Sequence, residues 1–225
     1  MHEEHAGADV QRNDPSYKIT SVLSRLEVAR RNIIATSFLL DNNNRSLVDE
    51  YTRISYIYEP LNKLLNMLFP HLKFERVDIS DTDYPKCIFS QDTHSGISHP
   101  QNQVDIDELS RGEIGVISQF LPLVECQILR KLTPQSDGSS FSDIVVLMDM
   151  PGLYLQPQTQ SRLLDYFRSV EKENENIQFI IVTSSAALID KADAEELFML
   201  RPSEQLLEGS NQLVKVSDAT ICRAR

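Results

Sequence analysis

Apolar residues in the N-terminal part of the chain recur every three or four positions, which is the spacing of one face of an α-helix. This pattern predicts a first helix over residues 17–40 and, after the polar loop 41–45, a second helix over residues 46–68. Pro60 interrupts the apolar seam of the second helix, and we expect it to kink that helix because proline removes a backbone donor. Residues 1–15 are polar and predict a disordered tail.

The two predicted helices form a helical hairpin over residues 16–70. Two arrangements of this hairpin are open: a projecting coiled-coil arm, or a pair of core helices packed on the rest of the chain. After the hairpin the pattern changes, because segments 71–79 and 84–90 alternate apolar and polar residues as half-buried strands do. Segment 91–103 is polar and interrupted by Gly and Pro, which predicts a loop.

From residue 107 onward the pattern alternates between helices and strands. The run 144–148 is apolar on both faces, which is typical of a central strand in a parallel sheet. The other predicted elements are helices over 110–132, 158–172 and 192–196 and strands over 178–182, 196–200 and 212–216. This alternation predicts an α/β fold with a parallel sheet and with ligands at the carboxyl ends of its strands. The predicted domain that contains this sheet spans residues 71–225.

Composition limits the classes of protein that fit. The chain has 225 residues and a formal net charge of −11, which argues against general binding to nucleic acid, although a local basic patch stays open. It contains no run of about 18 apolar residues, so no membrane span is predicted. Cys87, Cys126 and Cys222 are widely separated and form no CxxC pair, which indicates a reducing compartment. We therefore expect a soluble intracellular protein of the cytoplasm or nucleus.

The glycines are informative because of what they do not form. The chain has 7 of them, and none begins a G-x-x-x-x-G-K-[ST] phosphate loop or belongs to a G-x-G-x-x-G turn. The printed sequence therefore carries no recognisable phosphate-binding loop.

A first segment with candidate chemistry spans residues 107–113. Ser110 and Glu113 are spaced as a capping box, which is enough to explain them as the start of a helix. The same hydroxyl and the free N–H groups of a helix N-terminus also bind phosphate, and Gly112 lets the backbone approach it closely.

Two further segments are strand ends. Asp149 follows the apolar run 144–148, where a carboxylate can stand beside the Mg²⁺ of a bound nucleotide or serve as an ordinary turn or helix cap. Thr183, Ser184 and Ser185 follow the strand predicted over 178–182, and alone they indicate only a strand end.

In this order and spacing the three segments resemble the C-terminal half of an ATP-binding-cassette-type ATPase core. The branch concerned is the soluble one, with the AAA-type cores of chromosome-maintenance, DNA-repair and overcoming-lysogenization-defect-like proteins. The resemblance covers roughly residues 50–200. The matching positions are Leu109, Ser110, Gly112 and Glu113 of the LSxGE signature, Asp149, Pro151, Leu155 and Pro157 of the Walker B region, and Thr183 and Ser185 of the switch region.

The resemblance implies a partial P-loop NTPase core of the ABC type, preceded by the helical hairpin. It implies ATP with Mg²⁺ as the cofactor, and it makes Asp149 the catalytic Walker B residue and the metal ligand. It further implies nucleotide contacts from the signature and from the switch residues, including Ser184. Since two subunits of such ATPases sandwich each ATP, the implied partner is a Walker A-bearing subunit in a homo- or hetero-oligomer.

Three positions depart from the family pattern. Met150 replaces the glutamate that polarises the attacking water, and a thioether cannot take up a proton. Ser184 replaces the switch histidine, and Gln156 replaces the histidine of the family's Leu-His-Pro segment. With the phosphate loop also absent, these departures predict a degenerate or incomplete ATPase that completes a partner's ATP site in trans through Ser110 and Gly112. The phosphate loop would come from another subunit or from an upstream segment of a longer polypeptide.

A second class of function is open from the sequence. In it, the helices over 17–68 and the acidic surface bind a protein partner, and the α/β part is a non-enzymatic scaffold, a pseudo-ATPase. Binding of ATP with Mg²⁺ separates the two classes.

Overall fold

A computed structural model describes residues 14–40, 56–81, 84–91, 102–133, 142–202 and 211–215. The described helices are α1 (Pro15–Leu40), α2 (Glu59–Leu68), α3 (Arg111–Leu132), α4 (Pro157–Glu173) and α5 (Ala186–Ile189), with a 3₁₀ turn at Ile106–Glu108. The described strands are β1 (Leu72–Asp78), β2 (Lys86–Gln91), β3 (Gln103–Asp105), β4 (Ile144–Asp149), β5 (Ile177–Val182), β6 (Phe198–Pro202) and β7 (Asn211–Lys215). The fold is mixed α/β with a small parallel sheet. None of the described helices is long and apolar enough to cross a membrane.

Helices α1 and α2 belong to the main hydrophobic core. Helix α1, predicted from its spacing, packs along α3 and buries Ile19, Leu23 and Leu26. Helix α2 packs on β1 and α4 and buries Leu61 and Leu64. All these side chains lie in one cluster with residues of the strands and of α3 and α4. In the described residues, both helices therefore pack on the rest of the chain, while the loop that would join them as a hairpin lies outside the described residues.

The start of α2 corrects the prediction of a helix kinked at Pro60. Residues 56–58 form a turn, α2 begins at Glu59, and Pro60 lies in its first turn. Proline is tolerated there because the N–H that it lacks would have no partner within the helix. The earlier part of the predicted helix, the loop before it and residues 1–13 of the predicted tail lie outside the described residues.

The first sheet has three antiparallel strands in the order β1-β2-β3. β1 and β2 confirm the predicted strands, whereas β3 begins at Gln103, the last residue of the segment predicted as a loop. The β1–β2 register shifts between Phe74 and Arg76. Next to this shift, the side chain of Asn62 on α2 binds the backbone of Phe74. The Asn62 amide donates to the Phe74 carbonyl at 3.0 Å and accepts from the Phe74 N–H at 2.8 Å. One side chain thus supplies the hydrogen bonds that the bulge removes from the ladder.

The parallel sheet contains β4 and β5, which are joined through α4 as a β-α-β unit. Ile144 lies opposite Ile177, and Asp149 lies opposite Val182. Both strands and α4 confirm the sequence prediction, but the prediction of a strand covered on both faces is wrong for the described part of the chain. β4 pairs there with β5 alone, and Leu147 on its outer side is 73% exposed.

The C-terminal part differs from the prediction in one helix. Residues 192–196, predicted as helical, form turns, and the helix lies earlier, as α5. The Ser185 hydroxyl accepts the Leu188 N–H and so caps the helix at the earlier position. The last two predicted strands are present as β6 and β7, which pair antiparallel with each other in a separate sheet.

Candidate functional site

Ser110 is the N-cap of α3, as the capping-box spacing predicts. Its hydroxyl accepts the Glu113 N–H at 3.3 Å, and the Glu113 carboxylate accepts the Ser110 N–H at 2.7 Å. His71 places its Nε2 2.8 Å from the same carboxylate. Burial alone raises the pKa of Glu113, but the hydrogen bonds from Ser110 and His71 outweigh burial, and the net pKa is lowered. Glu113 is therefore a buried carboxylate that holds the start of the helix.

The first turn of α3 leaves backbone donors free. Within the described residues, the N–H groups of Arg111 and Gly112 have no hydrogen-bond partner, which is usual for this position. A Cβ built on Gly112 meets only the Ser110 Oγ, at 4.0 Å, so no contact inside the chain requires glycine here. Leu109, next to this turn, has its side chain buried in the core. In the signature segment, Ser110 and Arg111 are exposed and Gly112 is half-buried, so these three residues are accessible to a ligand.

The carboxyl ends of β4 and β5 bring the other two predicted segments together. Because Asp149 lies opposite Val182, residues 183–185 follow directly beside it. Asp149 is exposed, and the Met150 N–H continues the strand pairing by donating to the Val182 carbonyl at 2.8 Å. Parallel sheets bind ligands at this edge.

The loop between β4 and α4 is a tight turn. Met150 has a φ of 47° and Gly152 a φ of 73°. The left-handed conformation costs a residue with a side chain about 1–2 kcal/mol, so Met150 is strained. A Cβ on Gly152 would lie 2.6 Å from the Leu163 Cδ1, so glycine is required there. Pro157 then opens α4, with Gln156 at an N-cap position where its side chain makes no capping bond.

Gln160 of α4 ties the two loops of this edge together. Its amide nitrogen donates to the carbonyls of Gly152, at 3.1 Å, and Leu155, at 2.9 Å. Its amide oxygen accepts the Ser185 hydroxyl at 2.5 Å. The loop that follows Asp149 and the loop that follows β5 are therefore positioned by one side chain.

The three hydroxyl residues after β5 have different environments. Thr183 accepts the Ser185 N–H on its Oγ1 at 3.1 Å, and Ser185 also caps α5. Both hydroxyls thus hold the local backbone. Ser184 is exposed beside Asp149. Among the three, Ser184 is the residue whose side chain faces solvent at the strand edge.

Helix α3 runs from the signature segment to the loop after β4. The Gln119 side-chain oxygen accepts the Gly152 N–H at 3.3 Å, so the middle of α3 touches the loop after β4. Ser110 begins the same helix about 13 Å from Gln119 along its axis, at a rise of about 1.5 Å per residue. The free N–H groups at the start of α3 therefore lie about two and a half turns from the point where the helix contacts this loop.

Sequence reasoning missed Gln119, Gln160 and His71. No local motif marks these residues, because each acts on a segment distant in the sequence: Gln119 on the loop after β4, His71 on the start of α3. Only the packing of α3 and α4 against the loop after β4 gives the glutamines their role.

Asp149 is an exposed single carboxylate. In the described part of the chain, no group of three His, Cys, Asp or Glu side chains could hold a metal ion. Mg²⁺ in nucleotide enzymes is bound through one or two carboxylates together with the phosphates of the substrate. A metal ion at Asp149 would therefore need further ligands besides the His, Cys, Asp and Glu side chains of the described residues.

No protein-family model matches the chain, and a search of curated proteins finds no significant match.

Proposed function

We propose that this chain is a degenerate ATPase-type core that completes a partner's ATP site and does not hydrolyse ATP alone. The observation that carries the proposal is the first turn of α3. This helix N-terminus is exposed and carries three polar groups: the free N–H groups of Arg111 and Gly112 and the Ser110 hydroxyl. Gly112 has no side chain that would keep a ligand away from them.

A phosphate at this turn is stabilised in two ways. It accepts hydrogen bonds from the free N–H groups, and it lies at the positive end of the α3 dipole. The Ser110 hydroxyl adds a third donor when it turns from Glu113 towards the phosphate. In the shared site the partner's phosphate loop holds the nucleotide, and this chain stabilises the charge that develops on the terminal phosphate. A Mg²⁺ bound with the nucleotide would neutralise charge on the phosphate oxygens.

The strand edge of this chain supports the same proposal because it lacks the groups that hydrolysis requires. Asp149 can take part in binding Mg²⁺, but Met150, at the position of the base, has no group that accepts a proton from water. Ser184 stands where the family has its phosphate-sensing histidine. With no phosphate loop in the printed sequence, this edge lacks the groups that would hold and activate a nucleotide.

The test compares the isolated chain with the complex recovered from native cells through a tagged copy. We expect no binding of ATP with Mg²⁺ to the isolated chain at micromolar concentration, and ATP turnover by the complex. Ser110→Arg should lower that turnover by about 100-fold, as loss of one charge-stabilising donor does. The matched control Ser161→Arg, on α4, should not. Micromolar ATP binding by the isolated chain, or unchanged turnover in the Ser110→Arg complex, overturns the proposal.

A non-enzymatic scaffold is the second candidate, and one observation favours it. Val145, Leu147, Ile180 and Val182 expose apolar side chains on β4 and β5, as a protein-binding surface does. A complex that forms normally but neither binds nor hydrolyses ATP would identify this function.

A further inference from the structure

The parallel sheet has two faces of different character. One face packs into the core through residues such as Val146, Met148 and Phe179. The other carries an apolar surface, here called the outer face. Its members and their exposed fractions are Val145 (55%), Leu147 (73%), Ile180 (49%) and Val182 (55%). Leu147 lies opposite Ile180, which joins the apolar side chains of the two strands at the middle of the face. The polar members of the same face are Gln178, opposite Val145, and Asp149, opposite Val182, and both are exposed.

A bare outer face is unusual for parallel strands. Parallel sheets are almost always covered on both faces, and their strands are accordingly apolar on both sides. β4 and β5 have that composition, yet the exposures show that no described element covers the outer face. The strands therefore carry the sequence of a sheet buried between two layers, of which the described residues provide one.

Acidic residues stand at both ends of the outer face. Asp143, two residues before Val145, and Asp149, two residues after Leu147, are both exposed. They are separated by about 20 Å along the strand, at about 3.3 Å per residue. Neither carboxylate forms an ion pair with another residue in the described part of the chain. The face is thus apolar in the centre and negative at both ends.

This charge pattern argues against a second copy as the occupant. Two outer faces packed together would bring acid against acid in chains that each carry a net charge of −11. A complementary occupant is apolar in the centre and basic at its ends. An α-helix lying along the strands covers 20 Å with about 13 residues, at about 1.5 Å per residue.

We propose that the outer face binds an amphipathic helix of a partner polypeptide, whose apolar stripe covers Val145, Leu147, Ile180 and Val182. Lys or Arg residues about 14 positions apart are separated by about 21 Å and nearly four whole turns, so they lie on one side of that helix and pair with Asp143 and Asp149. The contact requires no nucleotide and so goes beyond the proposed function. A partner seated there brings its own basic group beside Asp149.

The test uses two fluorescein-labelled helical peptides and the full-length chain without nucleotide. Both peptides have a leucine stripe; one carries two lysines about 14 residues apart on the same side of the helix, and the other carries glutamates at the same positions. Fluorescence anisotropy should show that the lysine peptide binds at least about ten-fold more tightly than the glutamate peptide. Leu147→Glu should weaken its binding by at least about ten-fold, and Asp143→Lys should weaken it in the same direction.

Matched controls separate the outer face from general surface effects. Val28 on α1 is 45% exposed, and Val28→Glu should change the affinity for the lysine peptide by less than about two-fold. Asp107→Lys, a charge reversal before α3, should likewise have little effect. Circular dichroism melts establish that each variant is folded. If either Leu147→Glu or Asp143→Lys fails to fold, the other still tests the outer face.

Three results would overturn the inference. If the two peptides bind with equal affinity, or if Val28→Glu weakens binding of the lysine peptide as much as Leu147→Glu does, the outer face is not the binding surface. Absence of binding by either peptide shows that the outer face does not bind a helix of this kind. A dimer in sedimentation that Leu147→Glu dissociates shows that a second copy is the occupant. None of these results depends on ATP, so each leaves the proposed trans site to be decided by its own experiment.

Discussion

The Ser184 hydroxyl lies 3.7 Å from the Met150 sulfur, so the two residues that depart most from the ATPase pattern contact each other. A hydroxyl donating to a thioether makes a weak hydrogen bond. Neither group takes up a proton near neutral pH, in contrast to the glutamate and histidine of the family pattern. Under the proposed function, this uncharged contact stands where a hydrolysing site would need a base and a phosphate sensor.

Restoring the base at this edge should not restore hydrolysis. Met150→Glu in the native complex should change ATP turnover by less than about two-fold, because no phosphate loop holds a nucleotide there. Met150→Gln is the control for side-chain size without a base. A working general base is worth at least about 100-fold. A rise of that order in the Met150→Glu complex alone would show that the chain's own strand edge receives a nucleotide.

The two glycines of the candidate sites should respond oppositely to a methyl group. Gly152→Ala should lower the free energy of unfolding by about 2–4 kcal/mol, since it combines a positive φ with a clash against Leu163. Gly112→Ala should raise it by about 0.5 kcal/mol, because alanine is the better helix former and nothing in the chain crowds its Cβ. Urea denaturation measures both.

Gly112→Ala also separates stability from function. Under the proposed trans site the variant should lower ATP turnover of the complex while it stabilises the chain. Turnover unchanged by this methyl group would mean that nothing approaches the first turn of α3 closely.

Gln160 should be a positioning residue for the strand edge. Gln160→Ala removes three hydrogen bonds and leaves the carbonyls of Gly152 and Leu155 without their side-chain donor, so we expect a loss of about 2 kcal/mol in unfolding free energy. Gln158→Ala, on the exposed start of the same helix, should stay within about 0.5 kcal/mol of wild type. Faster amide exchange confined to residues 150–156 and 183–186 in Gln160→Ala would confirm the local role. Uniformly faster exchange would contradict it.

Glu27 should make stability depend on pH in the acid range. Its carboxylate is buried on α1 and accepts hydrogen bonds from Arg30 and Arg31 and from the Tyr58 hydroxyl. Burial alone raises the pKa of Glu27, but these hydrogen bonds outweigh it and the net pKa is lowered. The resulting stability is therefore present above the ordinary glutamate pKa and is lost as the pH falls through the lowered one.

Glu27→Gln measures this contribution. It should cost about 2 kcal/mol of unfolding free energy near neutral pH, and the difference from wild type should shrink as wild-type Glu27 becomes protonated. Glu75→Gln is the control, because Glu75 also accepts hydrogen bonds but lies at the surface, where its contribution is about 0.5 kcal/mol or less. If the difference in unfolding free energy between Glu27→Gln and wild type stays the same in acid, the charge of Glu27 is not the cause of that difference.

Much of the local structure could be predicted from the sequence because it depends on neighbouring residues. The capping box of Ser110 and Glu113 acts across three positions, and it places the start of α3 correctly. The apolar runs of β4 and β5 likewise predict these strands. The prediction failed where two local signals competed: Pro60 could kink a helix or begin one, and the cap at Ser185 displaced the last predicted helix.

By itself, the sequence determined which residues end the parallel strands and which open α3, since helix caps and strand alternation are short-range interactions. Only the tertiary structure decided what those residues face. It placed Gln119 of α3 on the loop after β4, made Gln160 the link between the two strand-end loops, and left Leu147 and Ile180 exposed. The physical reason is that burial of a face depends on which distant segment packs against it. The apolar composition of a strand predicts that both of its faces are buried, but it does not identify the segment or chain that buries them.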